Sequence, residues 1–329
     1  MIVVTGATGH LGNNLVRALV KRNYRLRCMV LTGESLEPLQ GLDVEVVEGD
    51  VRDIESLYKA FDGADIVFHL ASIISLLPGN NELLEEVNVR GARNVAEACL
   101  TTGVRRLVYT SSIHALVEPP MGQVIDESMP CDPEHISMAY SKSKAKATLE
   151  VLDVIGKGLD GVIVMPTGVI GPYDFKPSAT GQMLLDYAAG KIPVRIGGGY
   201  DFVDVRDVAE GQILVAEKGR TGEKYILSGE WMSVDDILQE VSNATKAPLP
   251  RWKIPAALAS AVALMITSYC MVTGAKVLIN HDSVSTLRGN SLISSEKARS
   301  ELGYTSRPIR QTIRDTLDWF GERGWLKTR

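Results

Sequence analysis

No Cys-x-x-Cys pair occurs in this chain: the four cysteines, Cys28, Cys99, Cys131 and Cys270, stand far apart. A zinc site is therefore not expected, and scattered free thiols fit a reducing cytoplasmic setting. The five histidines, His10, His69, His114, His135 and His281, show no ligand spacing either, so the expectation is no metal. A basic excess is also missing. Lys and Arg total 35 against 40 Asp and Glu, a net charge of −5, which argues against a nucleic-acid partner. No basic stretch and apolar core precede the first strand-like residues at Ile2, so a secretory leader is not expected. Repeats and low-complexity tracts are absent. Charge is missing over one long run, Ile254 to Ala275, which has the length of a membrane span. Pro255, Ser260, Thr267, Ser268, Tyr269, Thr273 and Gly274 dilute it. A buried helix, or an apolar helix beside the substrate cleft, is the better expectation, with no stable membrane span. Interfacial contact through Arg251, Trp252 and Lys253 is the alternative.

What is present is an ordinary globular composition over 329 residues, 45% hydrophobic and 23% charged, enough for one large α/β domain or a cofactor domain with a smaller partner. Ile2-Val3-Val4 reads as a strand, and the apolar residues 11, 15, 16, 19 and 20 that follow have helical spacing. Further strands are expected at 26–31, 44–47, 66–70, 107–110 and 162–165, and helices at 82–101 and 140–155. This alternation predicts an α/β, Rossmann-type, doubly wound parallel sheet. After Gly171 the pattern breaks into turn residues, among them Pro172, Pro177 and Gly197-Gly198-Gly199. A helix at 205–217, a strand at 224–227 and mostly helix thereafter are expected. The organisation predicted is a dinucleotide domain over 1–171, with a return strand near 224–229, and a smaller, mostly helical substrate-binding part over 172–329.

Between the first strand and the first helix lies Thr5-Gly6-Ala7-Thr8-Gly9-His10-Leu11-Gly12. In that context Gly6 permits a tight turn, Gly9 lets backbone approach a pyrophosphate, and Gly12 lets the helix pack close. The phosphates would meet the helix N-terminus. Asp50, in Gly49-Asp50-Val51 after the third strand, could accept from an adenine amino group, or could cap the next helix. His69-Leu70-Ala71-Ser72 ends the fourth strand at the carboxyl edge, where small Ala71 leaves room for a ribose.

Downstream, Tyr140-Ser141-Lys142-Ser143-Lys144 places Tyr140 and Lys144 on one helix face, and Ser112 follows the fifth strand. Reducing a ketone needs a hydride and a proton. Tyrosine is a poor acid–base group at its usual pKa of about 10, and a nearby ammonium is expected to lower it. Tyr140 is then the general acid for reduction, Lys144 tunes it and holds ribose hydroxyls, and Ser112 bonds the substrate oxygen. Asp204 and Asp207 read as a loop and helix cap, and His114 as structural.

These stretches, with Asn88-Val89-Arg90-Gly91, Pro166-Thr167-Gly168-Val169-Ile170-Gly171-Pro172, Phe202 to Ala209 and Lys297 to Tyr304, resemble the extended short-chain dehydrogenases, which include the NAD-dependent epimerase/dehydratases. The likeness points most to the dihydroflavonol-4-reductase-like branch and to hopanoid-associated sugar epimerases. It implies catalytic Ser112, Tyr140 and Lys144. It also implies cofactor contacts from Gly6, Thr8, Gly9, His10, Leu11, Gly12, Leu31, Thr32, Asp50, Val51, Leu70, Ala71, Ser72, Asn88, Thr110, Tyr140, Lys144, Pro166 and Thr167, and a homodimer through the helices at 82–101 and 140–155. Over the stretch where this chain reads Met165 to Pro172, sugar-nucleotide epimerases of this kind carry an arginine and then an asparagine. Its loss favours an oxidoreductase that reduces an apolar or aromatic ketone or aldehyde over a sugar epimerase or dehydratase. A dinucleotide sensor without turnover is a third reading. At the end of the second strand stands Leu31, followed by Thr32, Gly33 and Glu34. The missing acid there leans the cofactor reading to NADP over NAD, while Glu34 would oppose a 2′-phosphate if it points inward.

Overall fold

The structure is a computed structural model and describes residues 1–74, 81–255 and 287–326. Strand β1 (Ile2–Thr5) leads into helix α1 (His10–Val20). There follow β2 (Leu26–Val30), β3 (Glu45–Glu48), α2 (Ile54–Phe61) and β4 (Ile66–His69). Next come α3 (Asn81–Leu84), a π turn over Glu85–Arg90, α4 (Gly91–Thr102), β5 (Arg106–Thr110), α5 (Ala139–Gly156) and β6 (Gly161–Pro166). The second part of the chain contains β7 (Gly168–Ile170), α6 (Ala179–Ala188), β8 (Val194–Ile196), β9 (Gly199–Asp204), α7 (Val205–Lys218), β10 (Lys224–Leu227) and β11 (Glu230–Ser233). It ends with α8 (Val234–Thr245), β12 (Trp252–Ile254), α9 (Glu296–Leu302) and α10 (Ile309–Glu322).

Seven strands form one parallel sheet in the order β10-β6-β5-β4-β1-β2-β3. Strand order reverses between β1 and β4, which opens a crevice at their carboxyl ends. The central strands are buried on both faces, which is why Ile2-Val3-Val4 and Val162-Ile163-Val164 read as continuous apolar runs rather than alternating ones. One face is covered by α2, α4 and α5 through Leu57, Phe61, Val95, Cys99 and Val151. The other is covered by α1, α7 and α9 through Leu15, Val16, Leu19, Val208, Ile213 and Leu302. Each fully buried side chain of this size stabilises the fold by about 1.5–3 kcal/mol.

Two differences from the sequence reading matter. The helix expected over 82–101 contains the π turn, which widens the coil where Asn88 sits. Among the described residues from Gly168 on, strands appear that the sequence did not announce: β7, β9 and β11 form a second small sheet, and β8 pairs with β12. Asp204 caps α7 by accepting from the Arg206 N–H at 2.7 Å, and Asp207 is gripped by Arg307, so both carboxylates serve the fold. Among the described residues no helix is long and apolar enough to cross a membrane. The apolar stretch expected at 254–275 lies, beyond Pro255, outside the described residues.

Candidate active site

The glycine turn takes its shape from close approaches that tolerate no side chain. Gly6 has φ +68°, and a Cβ there would stand 2.7 Å from the Ala71 nitrogen. A Cβ on Gly12 would stand 2.0 Å from the Gly6 carbonyl oxygen. Gly9 differs, because its added Cβ would meet only the Gly6 oxygen, at 3.3 Å. Gly9 caps α1 without a side-chain hydrogen bond, and the first turn carries no acidic residue. Its N–H groups and the positive end of the helix are thus left open toward the crevice, a fit to a pyrophosphate. Thr8 is buried in the same turn.

Beneath it, the Thr5 hydroxyl lies 2.7 Å from His69 Nδ1 and accepts from the Ala71 N–H at 3.3 Å, so the ends of β1 and β4 are tied at the crevice floor. Burial, with a push from Lys144, lowers the His69 pKa to about 3, so its ring is neutral. Sequence reading did not give Thr5 and His69 roles; both lie on apolar strands, and only the tertiary pairing brings them together. On the other side, His10 Nε2 reaches the carbonyls of Gly171 and Pro172, each at 3.1 Å. Asn13 donates to the Tyr173 carbonyl at 3.0 Å and Asn14 to the Pro172 carbonyl at 3.2 Å. The His10 side chain, together with Leu11's turn of α1, therefore binds the second half of the chain to the glycine turn.

Several of the residues expected to meet a cofactor have partners within the protein. Asp50 neither stands free nor caps a helix: both its oxygens accept from Arg52, at 3.0 Å from Nε, and Asp53 caps α2 instead. The neighbouring Val51 is buried under Gly91. Thr32 donates to Glu48 at 2.8 Å, and Leu31 is half-exposed at the end of β2. Asn88 accepts from the Ile73 N–H at 2.9 Å and donates to the Ile73 carbonyl and the Ser143 hydroxyl. Its amide thus fastens the segment after Leu70-Ala71-Ser72 to α5. The Thr167 hydroxyl, next to Pro166, donates to buried Asp201 at 2.6 Å.

Ser112 follows β5, and its hydroxyl accepts from the His114 N–H at 3.2 Å. Burial pushes the Tyr140 hydroxyl up to about 12, against the pull of its hydrogen bond with Ser112. Lys144, one turn along α5, is buried. Its ammonium donates to the Thr110 carbonyl at 2.9 Å and lies 5.3 Å from the centre of the Tyr109 ring. Desolvation lowers its pKa to about 7. The expected lowering of Tyr140 by Lys144 is thus not what the protein alone displays, because the lysine has itself lost much of its charge to burial. The Ser111 and Thr148 hydroxyls meet at 2.7 Å and hold α5 against β5. Thr110 also donates through its hydroxyl to Gln212, at 3.3 Å.

A cavity of about 430 Å³ is lined by the chain neighbours of Ser112 and Tyr140, Ile113 and Ser141, and by Leu116, Met138 and Ile293 together with Glu118, Arg288 and Asn290. His114 and Tyr200, hydrogen-bonded to each other at 3.1 Å, also stand in its wall, and burial lowers His114 to about 4. Among the described residues no cluster of His, Cys, Asp and Glu could hold a metal.

Comparisons with known proteins agree with this geometry. The sterol demethylase protein B of Methylococcus capsulatus is 35% identical, covering 98% of this chain and 99% of its own. A Synechocystis protein named "Putative dihydroflavonol 4-reductase" is 34% identical, covering 99% and 96%. The solved structure of gox2253 superposes with a TM-score of 0.88 at 36% identity, covering 99% of each chain. The pattern described as "NAD dependent epimerase/dehydratase family" matches residues 2–228. With its glycine turn, seven-stranded parallel sheet and crevice, the chain belongs to the NAD-dependent epimerase/dehydratase family.

Proposed function

We propose that this protein reduces a bulky, apolar ketone or aldehyde with a nicotinamide dinucleotide. The reading is carried by Ser112, which bonds Tyr140, and by Lys144 one turn along α5, near a cavity that mixes apolar side chains with His114, Tyr200, Glu118, Arg288 and Asn290. The bound dinucleotide supplies the hydride. Tyr140 is held protonated at neutral pH, the form a general acid needs, and it delivers its proton to the substrate oxygen. The Ser112 hydroxyl holds that oxygen in line. The share of Lys144 that keeps its proton near neutral pH offers the phenolate left behind a positive charge. The cavity volume suits a drug-sized ligand, and the reductase name of the Synechocystis relative points the same way.

The test is a panel of apolar ketones and aldehydes assayed with NADH and NADPH in parallel. Reduction with one-to-one loss of nicotinamide absorbance supports the reading. Conversion of a sugar nucleotide with no net change in absorbance would make the chain an epimerase or dehydratase. Tight dinucleotide binding with no turnover would make it a sensor.

A further inference from the structure

Three polar side chains in the cavity wall hold more hydrogens than acceptors. Ser141 follows Tyr140 on α5 and is only 2% exposed. It lines the cavity, and its buried hydroxyl has no hydrogen-bond partner among the described residues. His114 and Tyr200 line the same cavity. Burial keeps the imidazole neutral and the phenol protonated, so each ring carries one polar hydrogen. Their mutual bond at 3.1 Å uses one of the two. If the phenol donates to Nε2, the imidazole hydrogen sits on Nδ1. If Nε2 donates, the phenol hydrogen is left over. Either way one hydrogen remains, and no described residue accepts it. The neighbouring polar groups are engaged otherwise. The Asn290 amide donates to the Pro120 and Gln123 carbonyls, at 3.3 and 2.6 Å, and its main-chain N–H donates to Glu118. His135 is bonded to Asp132 at 2.6 Å. A donor left unpaired in a buried wall is unfavourable until a ligand brings an acceptor.

We propose that the substrate carries a second oxygen close to the reacting carbonyl, and that Ser141 and the His114–Tyr200 pair donate hydrogen bonds to it. The proposal rests on the carbonyl reduction proposed above. Chain position sets the reach. Ser141 is next to Tyr140, and His114 is two residues past Ser112. No more than about 4 and 7 Å of main chain therefore separate these donors from the residues assigned to the reacting oxygen. The second oxygen then belongs on a carbon α or β to the carbonyl, as in a diketone or a hydroxy ketone. Its two lone pairs can take both donated hydrogens. The hydride adds to the carbon of one carbonyl and the Tyr140 proton to the oxygen of that same carbonyl. The second oxygen is bound and not reduced. A ketone without it leaves both hydrogens unpaired, and a site built to bond an oxygen discriminates against the analogue that lacks it.

Two matched pairs of ketones test this: acetylbenzoyl against propiophenone, and benzoylacetone against butyrophenone. Each pair shares its carbon skeleton and differs by one oxygen. Affinity is measured by calorimetry on protein saturated with oxidised dinucleotide, where no hydride is available. Reduction is followed separately with NADH and NADPH. The wild type should bind the diketone of at least one pair about tenfold tighter or more. Ser141→Ala should cut that advantage by about threefold or more, and should melt at or above the wild type because it removes an unpaired group. His114→Leu combined with Tyr200→Phe deletes both hydrogens of the pair and should cut the advantage likewise. Equal affinity within both pairs overturns the proposal. So does an unchanged advantage in Ser141→Ala, or a Ser141→Ala protein that melts well below the wild type, since the hydroxyl would then serve the fold. The two readings fail separately. Reduction of ketones with equal affinity within each pair sinks only the second oxygen, whereas a diketone preference with no turnover under either reduced dinucleotide sinks only the reductase.

Discussion

His114 Nε2 lies 3.1 Å from the Tyr200 hydroxyl, and the two rings stack with their centres 5.7 Å apart. The pair joins the turn after Ser112 to the second sheet, so the cavity wall is set from both halves of the chain. Tyr200→Phe keeps the stack and removes the hydrogen bond. The expected result is a KM raised about 3- to 10-fold with kcat changed less than about twofold, since the pair positions substrate in ground and transition states alike. Steady-state kinetics on the best ketone checks it, and a selective fall in kcat would contradict it.

Tyr140→Phe removes the hydroxyl proposed to donate the proton and little else. Turnover should fall by roughly 10²- to 10⁴-fold. Dinucleotide affinity, read by fluorescence titration, should stay within about threefold. An active Phe variant would end the role given to Tyr140.

The glycines separate into two kinds. Gly12→Ala forces a Cβ to 2.0 Å from the Gly6 oxygen. It should destabilise the protein by about 3 kcal/mol or more in urea unfolding. Gly9→Ala meets nothing closer than 3.3 Å. It should cost under about 1 kcal/mol of stability yet weaken dinucleotide binding by about tenfold or more. Equal losses of stability in the two variants would count against the division.

Lys144 makes stability depend on pH in a definite direction. Its pKa falls from an ordinary 10.5 to about 7 on folding. Between these values the unfolded chain holds a proton that the folded chain does not, so this group's contribution to stability rises with pH across that window. Below about pH 7 both states are charged, and its penalty is fully present. Lys144→Met should therefore abolish turnover while melting at or above the wild type at pH 6. That advantage should shrink as pH climbs toward 10. His69, lowered from 6.5 to about 3, acts lower on the scale: it removes stability as pH falls below 6.5. Melting curves from pH 4 to 10 check both signs.

Much of this was legible in the sequence because the signals are local. Ile2-Val3-Val4 with its glycine turn, the helical spacing at 11–20 and the strand at 224–227 each declare themselves within a few residues. The unread features depend on partners distant in sequence. Gly168-Val169-Ile170 looks like a loop until β9 pairs with it, register Gly168 to Phe202. Asp50 looks free until Arg52 folds onto it. Tyr140 was expected to be lowered because charge was weighed without burial, and burial is the larger effect.

His10, Asn13 and Asn14 grip the 171–173 segment through its main-chain carbonyls alone. Tyr173 follows with a φ of 64°, its carbonyl bound to Asn13. Every amino acid offers the same carbonyl. Just beyond this segment side chains join in: the Asp174 carboxylate lies 4.0 Å from His10 Nδ1, and Arg17 reaches over the Tyr173 and Phe175 rings. A chimera that swaps the chain beyond residue 173 should therefore keep the glycine turn in place only when Asp174 and Phe175 travel with the first half.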